Sequence, residues 1–381
     1  MAPQPLGKDP SSRIVPPGEL VDDHHFPRRG FMKAVIFERF GGPEVLSYEE
    51  VEIPALDHED VLVRVRACSV NRGVDIAMRE NGYGWSALKF PHVTGADIAG
   101  EIVEVGAGVR HLEEGDRVVG FPLLVCGECD FCAEGRGQNR CRQYKILGVH
   151  AWGGYAQYVK LPARNVLPLS NSITYQDAAA LPLSYVSAWH GLVTRAGLTQ
   201  RDTVLVMAAG SGVGVAATQI AKLMGATVIA TAGSDWKLDA ARSLGADHAF
   251  NYSEAGWGER VREVTGGRGA TIVFDNLGQE TWPTSIGCLD RCGRFICCGG
   301  TLSGPVLKVD VRTLYRNQIA CHFFTAGTSN DLAGLLELVR TGKLKPVIDS
   351  TYSLQEATAA QEKVLDRAVF GKVLLLPEHS H

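Results

Sequence analysis

Residues 202–224 read as a strand, a glycine-rich turn and a helix, and this succession restricts the fold more than any other part of the sequence. Asp202 is followed by the apolar run Thr-Val-Leu-Val-Met-Ala, which is typical of a parallel strand buried on both faces. Glycine lets a backbone approach a phosphate closely, and a helix start offers free N–H groups and a favourable dipole. We therefore expect a dinucleotide pyrophosphate to bind at the turn formed by Gly210, Ser211, Gly212, Val213 and Gly214.

Strands and helices alternate after this turn as far as residue 274, which predicts a doubly wound parallel sheet in an α/β protein. Before residue 170 the pattern differs, because short alternating strands are separated by glycine and proline. That texture indicates a β-rich first domain, and a chain of 381 residues is long enough for two domains. The tail beyond residue 327, which ends in a strand expected at 372–376, is too small to form a domain by itself and is expected to return to the first one.

The choice of cofactor depends on the residues that follow the second strand of this sheet. An NAD site has an acidic residue there that accepts the ribose hydroxyls, and this strand ends without one. Gly233 leaves room for a phosphate, Ser234 can donate to it, and Lys237 can neutralise it, so the sequence favours NADP(H). NAD(H) stays possible because Asp235 lies one residue away. Gly278 is expected to complete the cofactor site.

Four cysteines crowd into one short stretch, at Cys126, Cys129, Cys132 and Cys141. Four thiolates bind zinc tetrahedrally and leave no open position for chemistry, so we expect one structural zinc per chain, in a lobe over residues 121–146. Free or disulfide-linked cysteines are the alternative. The later cysteines, such as Cys292, are expected to be small buried apolar residues.

Composition excludes several classes of function. The net charge is −4 and no basic patch stands out, so a nucleic-acid partner is not expected. No apolar run approaches the ~20 residues that span a bilayer. The first 31 residues are rich in proline and polar residues without an apolar core, so we expect a flexible extension rather than a secretory signal, and a cytoplasmic protein.

Several motifs together resemble the medium-chain dehydrogenase/reductase superfamily, which includes the zinc-type alcohol dehydrogenases and the quinone reductases. Besides the glycine turn and the four-cysteine lobe, these motifs are Met32-Lys33-Ala34-Val35, Gly41-Gly42-Pro43-Glu44-Val45-Leu46, Gly115-Asp116-Arg117-Val118, Gly153-Gly154-Tyr155-Ala156 and Phe370-Gly371-Lys372-Val373. The resemblance covers nearly everything after the extension.

The resemblance implies a domain plan. Residues 32–168 would form a GroES-like β-rich catalytic domain, 169–327 an inserted Rossmann domain that binds NAD(P), and 328–381 a return segment that completes the first domain. The active site would lie in the cleft between the two domains. A homodimer or homotetramer would be the working assembly, and a small molecule would be the substrate.

The resemblance also exposes departures at the positions of the family's catalytic zinc ligands. Asn71, Ala96 and Leu183 stand where zinc-dependent members carry a cysteine, a histidine and a second cysteine. Compared with the family pattern, we expect one inserted residue between Asn71 and Asp75. In NADPH-binding relatives a tyrosine after the third strand reaches the adenosine phosphate, and Tyr252 matches it.

Without a catalytic metal, polarising an alcohol oxygen is harder than reducing an activated acceptor. The sequence therefore favours hydride transfer from NADPH to an enone, enoyl or quinone-type substrate. The candidate donors to that substrate are Asn71, Ser187 and His150. The pocket is expected to be shaped by loops at 71–93 and 277–330.

Two other interpretations remain open at this point. The first is an alcohol dehydrogenase or aldehyde reductase with a non-standard metal site, in which Asp97 would act with His150. The second is a cofactor-binding protein with little catalysis, because folds of this kind do not by themselves imply activity.

Overall fold

The computed structural model describes residues 30–84, 88–135, 137–299, 306 and 309–377. The expected extension 1–31 therefore lies outside the described residues except for its last two, and the first strand begins at Phe31. No helix within the described ranges is both long and apolar enough to cross a membrane.

The described residues form strands β1 (Phe31–Ile36), β2 (Ser47–Glu52), β3 (Asp60–Val70), β4 (Asp97–Val105), β5 (Arg117–Gly120), β6 (Leu123–Leu124), β7 (Lys145–Ile146), β8 (Tyr158–Pro162), β9 (Val166–Pro168), β10 (Thr203–Val206), β11 (Thr227–Ala232), β12 (His248–Asn251), β13 (Ala270–Phe274), β14 (Leu289–Cys297), β15 (Ala320–Phe323), β16 (Ile348–Ser353) and β17 (Lys372–Leu376).

The α-helices are α1 (Ala77–Asn81), α2 (Asp130–Ala133), α3 (Tyr175–Ala179), α4 (Val186–Trp189), α5 (Gly212–Leu223), α6 (Asp235–Ser243), α7 (Trp257–Val264), α8 (Trp282–Gly287), α9 (Val311–Asn317), α10 (Ser329–Arg340) and α11 (Ala357–Leu365). Three π-helical segments lie at Arg72–Ile76, Leu181–Tyr185 and His190–Arg195. Short 3₁₀ segments lie at Pro43–Val45, Gly82–Gly84, Gln138–Arg140, Ala163–Asn165 and Leu354–Glu356.

Six parallel strands form the sheet that the sequence predicts around the glycine turn. Their spatial order is β12-β11-β10-β13-β14-β15. Numbered from the first strand of this sheet, that order is 3-2-1-4-5-6, which is the Rossmann arrangement. The side chains of β10 are almost all buried, as its apolar run requires. The predicted doubly wound sheet is confirmed.

The second large sheet draws strands from both ends of the chain. Its order is β16-β17-β3-β4-β5-β9, and β8 pairs with β3. The closing strand β17 runs antiparallel to β3 and pairs Val373 with Val70. The chain therefore returns to its first sheet after completing the parallel one.

The stretch 277–330, expected to contribute loops to the pocket, also contains regular elements that the sequence did not predict. This stretch contains α8, β14, α9 and β15, and the last two strands of the parallel sheet come from it. The first six residues of β14 are Leu-Asp-Arg-Cys-Gly-Arg, of which Leu289 and Gly293 are buried, and its continuous buried run is only Phe295, Ile296 and Cys297. An apolar run that short gives too little periodicity to identify a strand.

The two sheets share a hydrophobic core, because the largest buried cluster includes Phe37 and Phe121 of the first unit together with Val206, Phe274 and Leu335. A helical segment at 181–195 runs through this junction. The amide of Gly371 donates to the carbonyl of Gly210 over 3.0 Å. The return segment thus lies directly against the glycine turn.

Candidate functional site

The glycine turn leads into helix α5, which begins at Gly212, within the turn itself. The hydroxyl of Ser211 caps the helix by accepting from the amide of Gly214 over 3.0 Å. At Gly214 an added Cβ would lie 2.2 Å from the carbonyl oxygen of Ala208, so only glycine allows this close approach. The turn is built for a tight strand-to-helix passage, which presents the helix N-terminus at the carboxyl edge of the sheet.

Two lysines face the turn from opposite sides. A Cβ at Gly210 would lie 2.8 Å from Cδ of Lys237, and a Cβ at Gly212 would lie 2.8 Å from Cδ of Lys372. Ser184 also reaches Gly212, at 2.9 Å from the same built position. Two cations flanking a helix start suit a diphosphate. Lys372 lies in one of the motifs that carry the resemblance, but no role was predicted for it.

The end of β11 carries groups that suit a phosphate. The strand ends at Ala232 without a carboxylate, and the side chain of Ser234 makes no capping hydrogen bond to helix α6. Nζ of Lys237 donates to the backbone carbonyl of Arg367. The hydroxyl of Tyr252 is 3.1 Å from where a Cβ of Gly233 would be.

Arg367 belongs to this group although the sequence alone does not single it out. Burial is the largest cause that lowers the pKa of Lys237, and the positive charge of the Arg367 guanidinium lowers it further. Burial raises the pKa of Tyr252, and Arg367 opposes that rise. The guanidinium therefore lies close to both side chains. Arg367 precedes the motif Phe370-Gly371 by three residues, so only the folded return segment brings it here.

Gly278 lies on the loop after β13, at the same carboxyl edge of the sheet. Its φ of +115° favours glycine, and its carbonyl accepts from the amides of Thr281 and Trp282 at the start of α8. The buried Asp275 anchors this loop through the amide of Leu277 at 2.8 Å. Gly278 thus borders the same edge as the glycine turn.

A buried polar cluster fills the junction between the sheets. Nδ2 of Asn71 donates to Asp75 at 3.2 Å and to Asp97 at 3.1 Å. Nζ of Lys372 donates to Oδ1 of Asn71 at 2.6 Å and to Oγ of Ser184 at 3.2 Å, and lies 3.5 Å from Asp97. Every member is buried. The cluster therefore holds two carboxyl groups against one ammonium group.

The two carboxyl groups are driven toward their protonated forms. Burial, and then the nearby Asp97, raise the pKa of Asp75 to about 7. Burial also raises the pKa of Asp97, although Lys372 opposes that rise. One oxygen of Asp97, Oδ1, is buried and has no hydrogen-bond partner. A single lysine thus incompletely compensates the pair.

Asp75 owes its position to the π-helical segment Arg72–Ile76. The carbonyl of Asn71 accepts from the amides of both Asp75 and Ile76, the pattern of a helix with one extra residue. The expected insertion between Asn71 and Asp75 lies here. Oδ1 of Asp75 also accepts from the amide of Ala96 at 3.1 Å, so this carboxyl joins two of the expected ligand positions.

Ser187 and His150, the other candidate donors, lie in different surroundings. Ser187 is buried on α4, and its hydroxyl bonds to the thiol of Cys298 just after β14. Asn276, after β13, holds the amide of Cys298 at 2.8 Å. Nδ1 of His150 instead accepts from the backbone amide of Ile146 at 3.0 Å. Ser187 therefore borders the carboxyl edge of the parallel sheet, whereas His150 lies just after the four-cysteine lobe and contacts its last residue, Ile146.

The four-cysteine lobe brings its sulfur atoms together, and Cys126, Cys129, Cys132 and Cys141 could hold a metal ion. The Sγ atom of Cys126 lies 3.9 Å from that of Cys132 and 3.5 Å from that of Cys141. Backbone amides of Cys129 and Gln143 point at two of the sulfurs, which favours thiolates. Among the described residues, no other group of three or more histidine, cysteine, aspartate or glutamate side chains lies close enough together to hold one metal ion.

Comparisons with known proteins agree with this architecture. Residues 57–171 match the family model of the alcohol dehydrogenase GroES-like domain, and residues 212–341 match the zinc-binding dehydrogenase model. An NAD-dependent alcohol dehydrogenase of Sulfurisphaera tokodaii is 31% identical over 91% of this chain and all of its own length. The chain belongs to the medium-chain dehydrogenase/reductase superfamily.

Other relatives of this superfamily differ in their named activities. A quinone oxidoreductase of Rattus norvegicus is 29% identical over 91% of the chain and 98% of its own length. A crystal structure of an NAD-dependent alcohol dehydrogenase shares 40% identity over 91% of the chain and 99% of its own, with a TM-score of 0.85. The predicted oxidoreductase class and GroES-like fold are confirmed, and the family uses a nicotinamide cofactor.

Metal analysis tests the lobe. The purified protein is expected to contain about one zinc per chain, and Cys132→Ser should lose most of it, because three thiolates bind zinc more weakly than four. Cys292, which the sequence predicted to be buried, is exposed, so that prediction is wrong for this residue. It serves as the matched control, since Cys292→Ser leaves the lobe unchanged. Equal zinc contents in the two variants would contradict a four-thiolate site.

Proposed function

We propose that the protein is an NADPH-dependent oxidoreductase that transfers hydride to an activated acceptor of the enone, enoyl or quinone type. The observation that carries the proposal is the identity of the residues at the three expected catalytic-zinc ligand positions. Asn71, Ala96 and Leu183 offer an amide, a methyl and an isobutyl group, and the ammonium group of Lys372 lies beside the first of them. These side chains do not fit a catalytic zinc.

The cofactor would lie along the carboxyl edge of the parallel sheet. The diphosphate would meet the glycine turn between Lys237 and Lys372, and the adenosine phosphate would meet Ser234, Tyr252 and Arg367. The nicotinamide supplies the hydride when it is bound. Some relatives are named NAD-dependent, but those names describe the relatives. In this chain the cations Lys237 and Arg367 near the end of β11 support NADPH.

The chain's own groups would stabilise charge on the acceptor. Reduction of an enone leaves negative charge on its oxygen, which a positioned hydrogen-bond donor stabilises. Both hydrogens of the Asn71 amide are engaged by carboxyl groups. Protonation of Asp75, whose pKa is raised to about 7, weakens one of these acceptors, and an amide hydrogen can then turn to the substrate. Ser187 is the second donor in reach of the cleft.

The names of the relatives favour a second candidate, an alcohol dehydrogenase that uses a metal held elsewhere in the cleft. Metal content separates the two candidates. About one zinc per chain supports the metal-independent reduction, and two would favour alcohol oxidation. A panel of enones, quinones and aldehydes assayed with both cofactors gives the substrate class directly.

Cofactor preference is tested at the adenosine phosphate. Lys237→Ala and Arg367→Ala are each expected to raise the dissociation constant of NADPH about tenfold or more, since a charged hydrogen bond contributes roughly 1.5–3 kcal/mol. NADH binding should change little. Lys343→Ala removes an exposed lysine away from this group and serves as the control. Equal losses of affinity for NADH and NADPH would show that these residues do not bind the adenosine phosphate.

Asn71 is tested with NADPH and an enone. Asn71→Ala is expected to lower kcat about 100-fold, the usual cost of losing one donor to a developing oxyanion. The dissociation constant of NADPH, measured by fluorescence, serves as the control for folding. Near-wild-type turnover would remove Asn71 from the mechanism and leave Ser187→Ala as the next test.

We also propose that the protein assembles as a homodimer or homotetramer through the edge strand β15. Phe323 on that strand and Val311 and Tyr315 on the neighbouring helix α9 are exposed apolar side chains. An unpaired sheet edge flanked by apolar surface favours pairing with a second copy.

Light scattering tests this assembly. Phe323→Asp is expected to reduce the mass in solution to that of a monomer, because pairing would bury a charge at the edge. Val264→Asp, at an exposed apolar residue on α7, should leave the mass unchanged. A wild-type monomer would refute the proposal.

A further inference from the structure

The four-cysteine lobe contacts the start of helix α10 through two amide side chains. Nε2 of Gln138 donates to Oγ of Ser329 at 2.6 Å, and the amide of Ser329 donates back to Oε1 of Gln138 at 3.3 Å. Nδ2 of Asn139 lies 3.2 Å from Nε2 of His190. These bonds join the lobe to residues far away in sequence, so the lobe is not an isolated clip.

His190 connects Asn139 of the lobe to a buried carboxylate, that of Asp331. An amide nitrogen only donates, so Nε2 of His190 accepts from Asn139, and Nδ1 then carries the proton. Nδ1 donates to Oδ2 of Asp331 at 2.9 Å. Asp331 also completes the capping box of α10 with Thr328. Asn139 thereby fixes the ring state of a histidine that holds the start of a helix.

The same histidine borders the cleft. His190 follows Ser187 by three residues on one continuous helical segment, so the two lie on neighbouring turns. The ring of Phe324 packs against His190 with 5.1 Å between ring centres. The amide of Phe324 donates to the carbonyl of Cys297, at the carboxyl edge of β14. His190 therefore contacts the chain that leaves the cofactor edge.

Close packing leaves this connection little freedom. A Cβ at Gly327 would lie 2.7 Å from Val186 and 3.0 Å from Cβ of His190. Gly327 joins Phe324 at the cofactor edge to Thr328 at the start of α10. A shift of α10 would therefore move Phe324 and the residues beside it at the carboxyl edge of the parallel sheet.

We infer that Asn139, His190 and Asp331 couple metal binding in the four-cysteine lobe to cofactor binding in the cleft, so that each strengthens the other. The lobe has little core of its own, since α2 has four residues and none of them is buried. Without a metal the positions of Gln138 and Asn139 are not held, and His190 loses its partner. The inference rests on cofactor binding and not on which acceptor is reduced.

Thermodynamic linkage makes the coupling measurable from either side. A buried polar group without its partner costs about 1–3 kcal/mol, and couplings of that size change affinity about 5- to 150-fold. Whatever factor the metal applies to cofactor affinity, the cofactor applies to metal affinity.

The test is the zinc dissociation constant of the full chain, measured by competition with a chromogenic chelator. With saturating NADPH we expect zinc to bind about fivefold or more tightly than without it, and metal removal to weaken NADPH binding by the same factor. Identical zinc affinity with and without NADPH would overturn the inference. Because no substrate is present, failure of the proposed reduction would not affect this result.

Variants locate the coupling. Asn139→Ala is expected to abolish the effect of NADPH on zinc affinity while the metal still binds, because the four cysteines remain. Asp130→Asn breaks the exposed ion pair with Arg142 on the outer side of the lobe and should keep the effect. Gln138→Ala, which breaks only the Ser329 contact, gives a second, milder variant and should reduce the effect. An undiminished effect in both Asn139→Ala and Gln138→Ala would refute this route.

Discussion

The ammonium group of Lys372 is the interaction on which the rest of the site depends. It lies among Asn71, Asp97 and Ser184 with 2% of the residue exposed, and it compensates in part the two buried carboxyl groups that bond to Asn71. Removing such a partner leaves charge buried without compensation, which is strongly destabilising. Lys372 begins β17, the strand through which the end of the chain joins the first sheet. Closure of the sheet and assembly of the site are therefore one event.

The same side chain faces the glycine turn of the other sheet. Its aliphatic stem packs against Gly212 while its ammonium group bonds to Asn71. A diphosphate at the turn would compete with Asp97 for that ammonium group. Cofactor binding would then raise the tendency of the carboxyl pair to hold a proton, since its one cation would be shared. Lys372 thus connects the glycine turn to the buried carboxyl pair.

The sequence alone was sufficient to predict those parts of the molecule whose structure is determined by a local sequence pattern. The buried run of β10 and its glycine turn specify a Rossmann sheet, and the spacing of four cysteines specifies a lobe whose sulfurs meet. Loss of periodicity explains the main omission, in the stretch 277–330, where β14 has only three buried apolar residues in its second half.

The cleft itself could be predicted only in part, because its members come from distant segments. Asn71 and Ser187 were identified through the resemblance, whereas Lys372 and Arg367 were not, although both follow a recognisable helix. Nothing in a lysine's neighbours in sequence says that it will be buried against a carboxylate 275 positions earlier (372 minus 97). Such pairs depend on register between strands, here Val373 opposite Val70 in β17 and β3, and register is a property of the folded sheet.

The segments of Asn71, Ala96 and Leu183, the three expected ligand positions, are held together by hydrogen bonds. A zinc ion with thiolate and imidazole ligands would hold its three segments together by coordination. Here hydrogen bonds join those segments instead, because Asp75 links Asn71 to the amide of Ala96, and Lys372 links Asn71 to Ser184, the neighbour of Leu183. Asp75 makes these bonds from within the π-helical segment Arg72–Ile76, where it is buried. A hydrogen-bonded charge cluster therefore joins the three segments, and the π-helical segment with Asp75 and the strand β17 with Lys372 both contribute to it.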